Sequence, residues 1–172
     1  MPPAAGWERL RAALGEPDAR AGVTFLGAAR IEVLRFRDPA DGGLVRYATL
    51  GADPEAELLL TLRAGRADTD GVLRALAVVA ASPQVEGVTL APGAALDLGE
   101  PLWPGAPFSA VLVDRPTDAG TPWLLPLLPL TPAEAAWRRA RGTDALRDLW
   151  RLHGTDLRDP TRGSVRLTPL GG

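Results

Sequence analysis

The side chains that could do chemistry are few, and their spacing limits what that chemistry could be. Among 172 residues there is one histidine, His153, and no cysteine. A serine-histidine mechanism would therefore depend on His153, and thiolate nucleophiles or thiolate metal sites are excluded. His153 falls on the apolar side of a predicted helix, near its C-terminus, where an imidazole commonly has a structural role. No HExxH or similar spacing supplies further ligands, so no metal site is expected.

Aspartates recur in close pairs: Asp38 with Asp41, Asp68 with Asp70, Asp114 with Asp118, and Asp144 with Asp148. Most fall in predicted turns, where the carboxylate bonds its own backbone, and this reading is preferred to general acid-base work. Asp53, close to Thr49 in the turn after a predicted strand, is the candidate for a hydrolase or small-ligand site. The phosphate-binding patterns GxxxxGK[ST] and GxGxxG, and the GxSxG elbow, are absent, and there is no lysine anywhere. These absences favour a protein that is not an enzyme and needs no cofactor.

Binding is the other class of function. Trp103 in a Pro-rich loop, with Pro101, Pro104 and Phe108, forms a candidate contact patch, since aromatic anchors suit interfaces. Core packing is the competing reading of these residues, and the stronger one. All 19 basic residues are arginine, which with abundant Ala, Gly and Pro reads as genomic codon bias before it reads as a binding surface. The net charge of −2 provides no field for nucleic acid. From Thr131 onward eight arginines face five acids, a mild basic excess that is weak support for an acidic partner.

The elements that must position these residues follow from periodicity. Trp7, Leu10 and Leu14 predict a helix over 7–14, followed by a loop. Segments 31–36 and 44–50 flank the turn formers Asp38 to Gly43 and predict an antiparallel hairpin. Leu58, Leu60 and Leu62 alternate along a third strand, 57–63. Leu73, Leu76, Ala77 and Ala80 mark a helix over 70–81, apolar nearly all round and closed off by Pro83.

Residues 84–107 read mainly as loop, with short strands at 88–90 and 95–98. The apolar runs 108–113 and 123–130 are strands, and Pro126 with Pro129 predicts an edge or bulged position for the second. Thr131-Pro132-Ala133-Glu134 is a capping-box helix start. Ala133, Ala136, Trp137 and Ala140 form one face of that helix, with Glu134 placed to pair Arg138, and Gly142 ends it. Thr143 caps a last helix carrying Leu146, Leu149, Trp150 and His153 on one side. The tail, 155–172, is polar with one candidate strand at 164–167.

The expected architecture is a single α/β (α+β) domain over residues 1–172: a mixed, largely antiparallel sheet with helices packed on it. No secretory signal and no run of about 20 apolar residues is present, so a cytoplasmic protein without a membrane span is expected. It would be a monomer or a homodimer, with Trp137 or Trp150 at a subunit contact in the second case.

Four blocks carry a family resemblance: Arg46-Tyr47-Ala48-Thr49-Leu50-Gly51-Ala52-Asp53 with Glu57-Leu58-Leu59-Leu60; the helix from Val72 to Ala80; Pro101-Leu102-Trp103-Pro104-Gly105; and Leu125 to Thr131 with Pro132-Ala133-Glu134. In order and spacing, over residues 45–152, the chain resembles the suppressor of fused domain family, in particular its small bacterial members. The resemblance implies a mixed sheet with packed helices and a protein-binding role. Animal members bind and restrain transcription factors of Hedgehog signalling, but they also carry a second, C-terminal domain that this chain has no room for, so that activity is not carried over. Many bacterial members are thought to be immunity proteins, so a toxin is the implied partner.

Overall fold

The computed structural model describes residues 3–38, 43–53 and 55–167. Helix α1 (Pro3–Leu14) begins earlier than the Trp7 periodicity suggests, because small residues at its start carry no apolar signal. Strand β1 (Ala19–Val23), read from sequence as loop, is a small-residue edge strand whose half-buried and exposed residues alternate. Strands β2 (Ile31–Asp38) and β3 (Leu44–Leu50) form the expected hairpin, and β4 (Glu57–Arg63) extends it. The turn residues 39–42 lie outside the described residues, and so does the pairing of Asp38 with Asp41.

Helix α2 (Val72–Glu86) runs through Pro83 instead of stopping before it. Pro83 lacks the N–H that would bond the carbonyl of Val79, four residues back. The Ser82 hydroxyl donates to that carbonyl instead, at 2.6 Å. Segment 88–90 is not a strand; β5 (Ala95–Asp97) and β6 (Ala110–Val113) follow it.

Strand β7 (Leu124–Leu130) is not at an edge: the order is β1-β2-β3-β4-β7-β6-β5, so it occupies the interior of a seven-stranded sheet. Its two prolines survive because its two ladders are staggered. The parallel ladder to β4 ends at Leu59↔Pro126, before Pro129, and the antiparallel ladder to β6 starts at Leu127↔Val113, after Pro126. Each missing N–H thus falls where a neighbour's pairing is absent. Apart from the β4–β7 join, all neighbouring strands are antiparallel.

Side-chain alternation divides the core between two faces. Val33, Tyr47, Leu60, Leu127 and Val111 face α2 and the loop that carries Leu102, Trp103 and Phe108. On the opposite face Leu34, Phe36 and Ala48 meet Leu10 of α1. Further along that face, Leu112 and Leu130 meet α3 (Pro132–Arg141) and α4 (Thr143–Leu152), through Ala135, Leu146 and Trp150. The inward face of α3 carries Glu134 and Ala135, while Ala133, Ala136 and Ala140 are exposed, contrary to the alanine face expected. Burial there follows the charge network of Glu134, which alanine spacing does not reveal. Gly142, at φ 96°, ends α3 and forms the N-cap of α4; Thr143 makes no capping bond and its hydroxyl accepts from Arg138.

The tail is a packed strap. Segment 164–167 is irregular backbone, yet Arg162 and Val165 are buried, and the carbonyl of Arg158 accepts from the Arg63 amide.

Candidate functional site

The sequence candidates divide into buried residues that build the fold and exposed ones that stand apart. Thr49, at the end of β3, is fully buried; its hydroxyl donates to Glu57 Oε2 at 2.7 Å and accepts from the Leu58 amide at 2.9 Å. Glu57 also accepts from the amides of Gly51 (2.7 Å) and Ala52 (3.2 Å). Gly51 requires φ 102° to aim its N–H inward, a conformation that glycine adopts without strain. Burial pushes the Glu57 carboxyl up to about 7, against the opposing pull of Thr49, the two amides and the Arg9 charge.

Asp53 does not join this cage. It is half-buried, and its Oδ1 accepts from the Glu55 amide at 2.8 Å, a local turn bond. The other aspartates stay outside the cage as well. Asp114 pairs with Arg147 at 2.7 Å, while Asp118 bonds the Gly120 amide, and Asp144 and Asp148 are exposed on α4. Asp70 accepts from Tyr47 and Arg35, which hold its carboxyl below the usual range although burial pushes the other way. The buried Tyr47 hydroxyl is pushed up to about 12. Among the described residues no group of three or more His, Asp or Glu side chains could hold a metal. His153, expected on the apolar side of α4, is exposed at its C-cap.

Trp103 and Phe108 are buried, with ring centroids 5.7 Å apart in an edge-on arrangement, and of the expected patch Pro101 and Pro104 alone are exposed. Their loop seats against Gly71, where an added Cβ would approach Pro104 Cδ to 2.7 Å.

Glu134 is the second buried carboxylate, and sequence reasoning gave it the wrong partner. Its ion pair is with Arg162, while Arg138 turns to the Thr143 hydroxyl and the Gly93 carbonyl. The capping box is present, with Thr131 Oγ1 accepting from the Glu134 amide at 3.1 Å and Glu134 Oε2 accepting from the Thr131 amide at 3.0 Å. Arg162 and the amides of Val165 and Thr131 hold the carboxyl below its usual range, against the effect of burial; the Trp150 indole N–H also donates to it, at 3.2 Å.

Among the described residues, two open concavities stand out. A groove of about 570 Å³ lies between the end of α1 and the loop before β7, lined by Leu14, Arg46, Leu59, Thr117, Asp118 and Pro126 among others. A second, of about 360 Å³, runs between the C-terminal half of α2 and β5, with Phe25, Val78, Val85, Val88, Leu96 and Leu98 as its apolar lining. Of the four large apolar side chains exposed among the described residues, Val78 and Val85 line this second groove and Leu26 adjoins Phe25. No sequence signal marked it, because an exposed valine on an apolar helix looks like any core valine.

The suppressor of fused protein (SUFU) family model matches residues 27–163. The chain belongs to the suppressor of fused family. Among solved structures, it is similar to a SUFU homolog from Neisseria gonorrhoeae FA 1090, at 16% identity and a TM-score of 0.75, covering 98% of this chain and 97% of that one. It is also similar to a chain of the Sufu-Fu complex, at 10% identity and a TM-score of 0.63, covering 94% and 89% respectively. None of the curated proteins matches. At these identities the structural likeness speaks for the fold. Two of the four blocks that carry the resemblance, around Thr49-x-Gly51 and Glu57 and around Thr131 and Glu134, are buried carboxylate cages, so what these two encode is architecture.

Proposed function

We propose that this chain is a non-enzymatic, cytoplasmic protein-binding module, and that a bacterial toxin is the partner class to test first. The observation that carries the reading is where its polar and apolar groups lie. Glu57 and Glu134, the carboxylates best placed for chemistry by burial, are engaged by internal donors, whereas large apolar side chains are exposed around the α2–β5 groove. The Sufu-Fu structure is that of a protein–protein complex, and the resemblance supports the same class of role here. Among the described residues no helix is long and apolar enough to cross a membrane.

The test is affinity capture from native lysate, with mass-spectrometric identification and a measurement of stoichiometry. One stoichiometric partner is expected, and catalytic turnover of a small substrate by the purified protein would overturn the reading. Sedimentation of the isolated chain distinguishes monomer from homodimer. A second reading, small-ligand binding, is favoured by the 570 Å³ groove, whose size suits a metabolite. A metabolite that raises Tm in wild type but not in a Leu59→Trp variant, which fills the groove, would support it.

A further inference from the structure

The geometry points to the α2–β5 groove as the docking site for a short apolar segment of a partner protein flanked by lysine or arginine. This inference rests on the protein-binding reading and specifies its surface and its partner's chemistry. The floor and walls are apolar, from Phe25, Val78, Val85, Leu96 and Leu98, and the ionisable residues that line it are Glu86 and Asp97, both acids. Asp97 is partly answered by Arg139 at 3.7 Å, an exposed pair, whereas Glu86 has no ion-pair partner among the described residues. An apolar trough with an acidic rim selects an occupant that brings apolar anchors and positive charge together.

Two observations argue against a second copy of this chain as the occupant. The apolar side chains exposed there, Val78, Val85 and the neighbouring Leu26, are too few for the roughly 800 Å² per partner of a stable interface. A two-fold pairing of the patch would also gather two copies each of Glu86 and Asp97 into one interface to which the lining brings no basic residue. A short segment seated between α2 and β5 meets neither difficulty.

The experiment uses two synthetic peptides that share one Leu- and Phe-containing core, flanked by arginines in one and by glutamates in the other. Binding to the full chain is followed by amide NMR shifts. The arginine-flanked peptide is expected to bind at least about tenfold more tightly at low salt, with shifts at Phe25, Val78, Val85 and Leu96. Glu86→Arg, a surface change that leaves folding intact, reverses the preference, and Val85→Asp abolishes binding at unchanged Tm. Equal affinities, shifts confined to other surfaces, or no binding of either peptide would overturn the groove assignment. The broader reading fails separately: a stoichiometric lysate partner retained equally by wild type and Val85→Asp leaves protein binding standing and removes the groove, whereas no stoichiometric partner for wild type removes both.

Discussion

Glu134 and Arg162, 28 residues apart in sequence, meet at 2.7 Å in the interior. The two residues tie the C-terminal strap to the start of α3. The same carboxylate accepts from the amides of Thr131 and Val165 and from the Trp150 indole, and a second guanidinium nitrogen reaches it at 3.2 Å. The guanidinium lies over Phe108, 4.9 Å from its centroid, and also bonds the Pro129 carbonyl.

Removing one side of such a pair leaves a buried charge unanswered. Arg162→Ala is expected to cost about 3–5 kcal/mol in urea unfolding, and Glu134→Ala at least as much because backbone donors are orphaned too. A double-mutant cycle should give a strong favourable coupling. Additive single effects would show that the strap is held by Val165 and its apolar neighbours and not by the ion pair.

Glu57 should make stability fall as pH rises from about 4.5 through about 7. Its folded carboxyl is raised to about 7 from an ordinary 4.5, so the folded state binds the proton more tightly. The resulting stabilisation is complete below about 4.5 and is lost as pH rises through about 7, a change of roughly 3 kcal/mol. Glu134 and Asp70 are lowered, so their contributions run the other way and are lost as pH falls through their folded values. Maximum stability is therefore expected on the mildly acidic side. Chemical denaturation at pH 5 and pH 8 tests this, with Glu57→Gln expected to flatten the slope; an unchanged slope in that variant would clear Glu57 of the effect.

The strands from Ile31, Leu44 and Glu57 were legible because alternation is local, and the Thr131 helix start because a capping box spans four residues. The errors share a different cause. By local rules Pro83 ends a helix and Pro126 with Pro129 marks an edge or bulged strand, but each is tolerated through a relationship beyond the proline itself: a Ser82 hydroxyl in one case, staggered ladders in the others. The same holds for the cages. Nearness along the chain puts Thr49 beside Asp53, whereas its partner is Glu57, whose place in the alternating pattern marks it as a polar position at the start of a strand. Arg162 lay in a tail with no periodicity, so nothing local announced that it closes the Glu134 cage.

Trp103 offers a separate test of packing against contact. Its ring is buried against Phe108, and its loop rests on Gly71. Trp103→Ala should cost about 3–5 kcal/mol, as for other buried aromatic truncations. Gly71→Ala, at an ordinary helical φ of −58°, should cost about 1–3 kcal/mol purely by pressing on Pro104 and the Trp103 backbone. A Trp103→Ala protein of unchanged Tm that had lost its binding partner would instead make this loop the contact surface.

Ser82, which borders the α2–β5 groove, and Pro83 beside it should prove coupled in stability. The Val79 carbonyl is inside the helix, has lost its regular donor to the proline, and takes the Ser82 hydroxyl at 2.6 Å. In the native background Ser82→Ala therefore strands a buried acceptor and should cost about 1–3 kcal/mol. In Pro83→Ala the backbone N–H returns, so the same Ser82 substitution should cost only a few tenths of a kcal/mol. Thermal or urea unfolding of the four proteins measures the difference directly. Equal costs in the two backgrounds would mean that the hydroxyl is incidental and that α2 tolerates Pro83 through packing on the sheet alone.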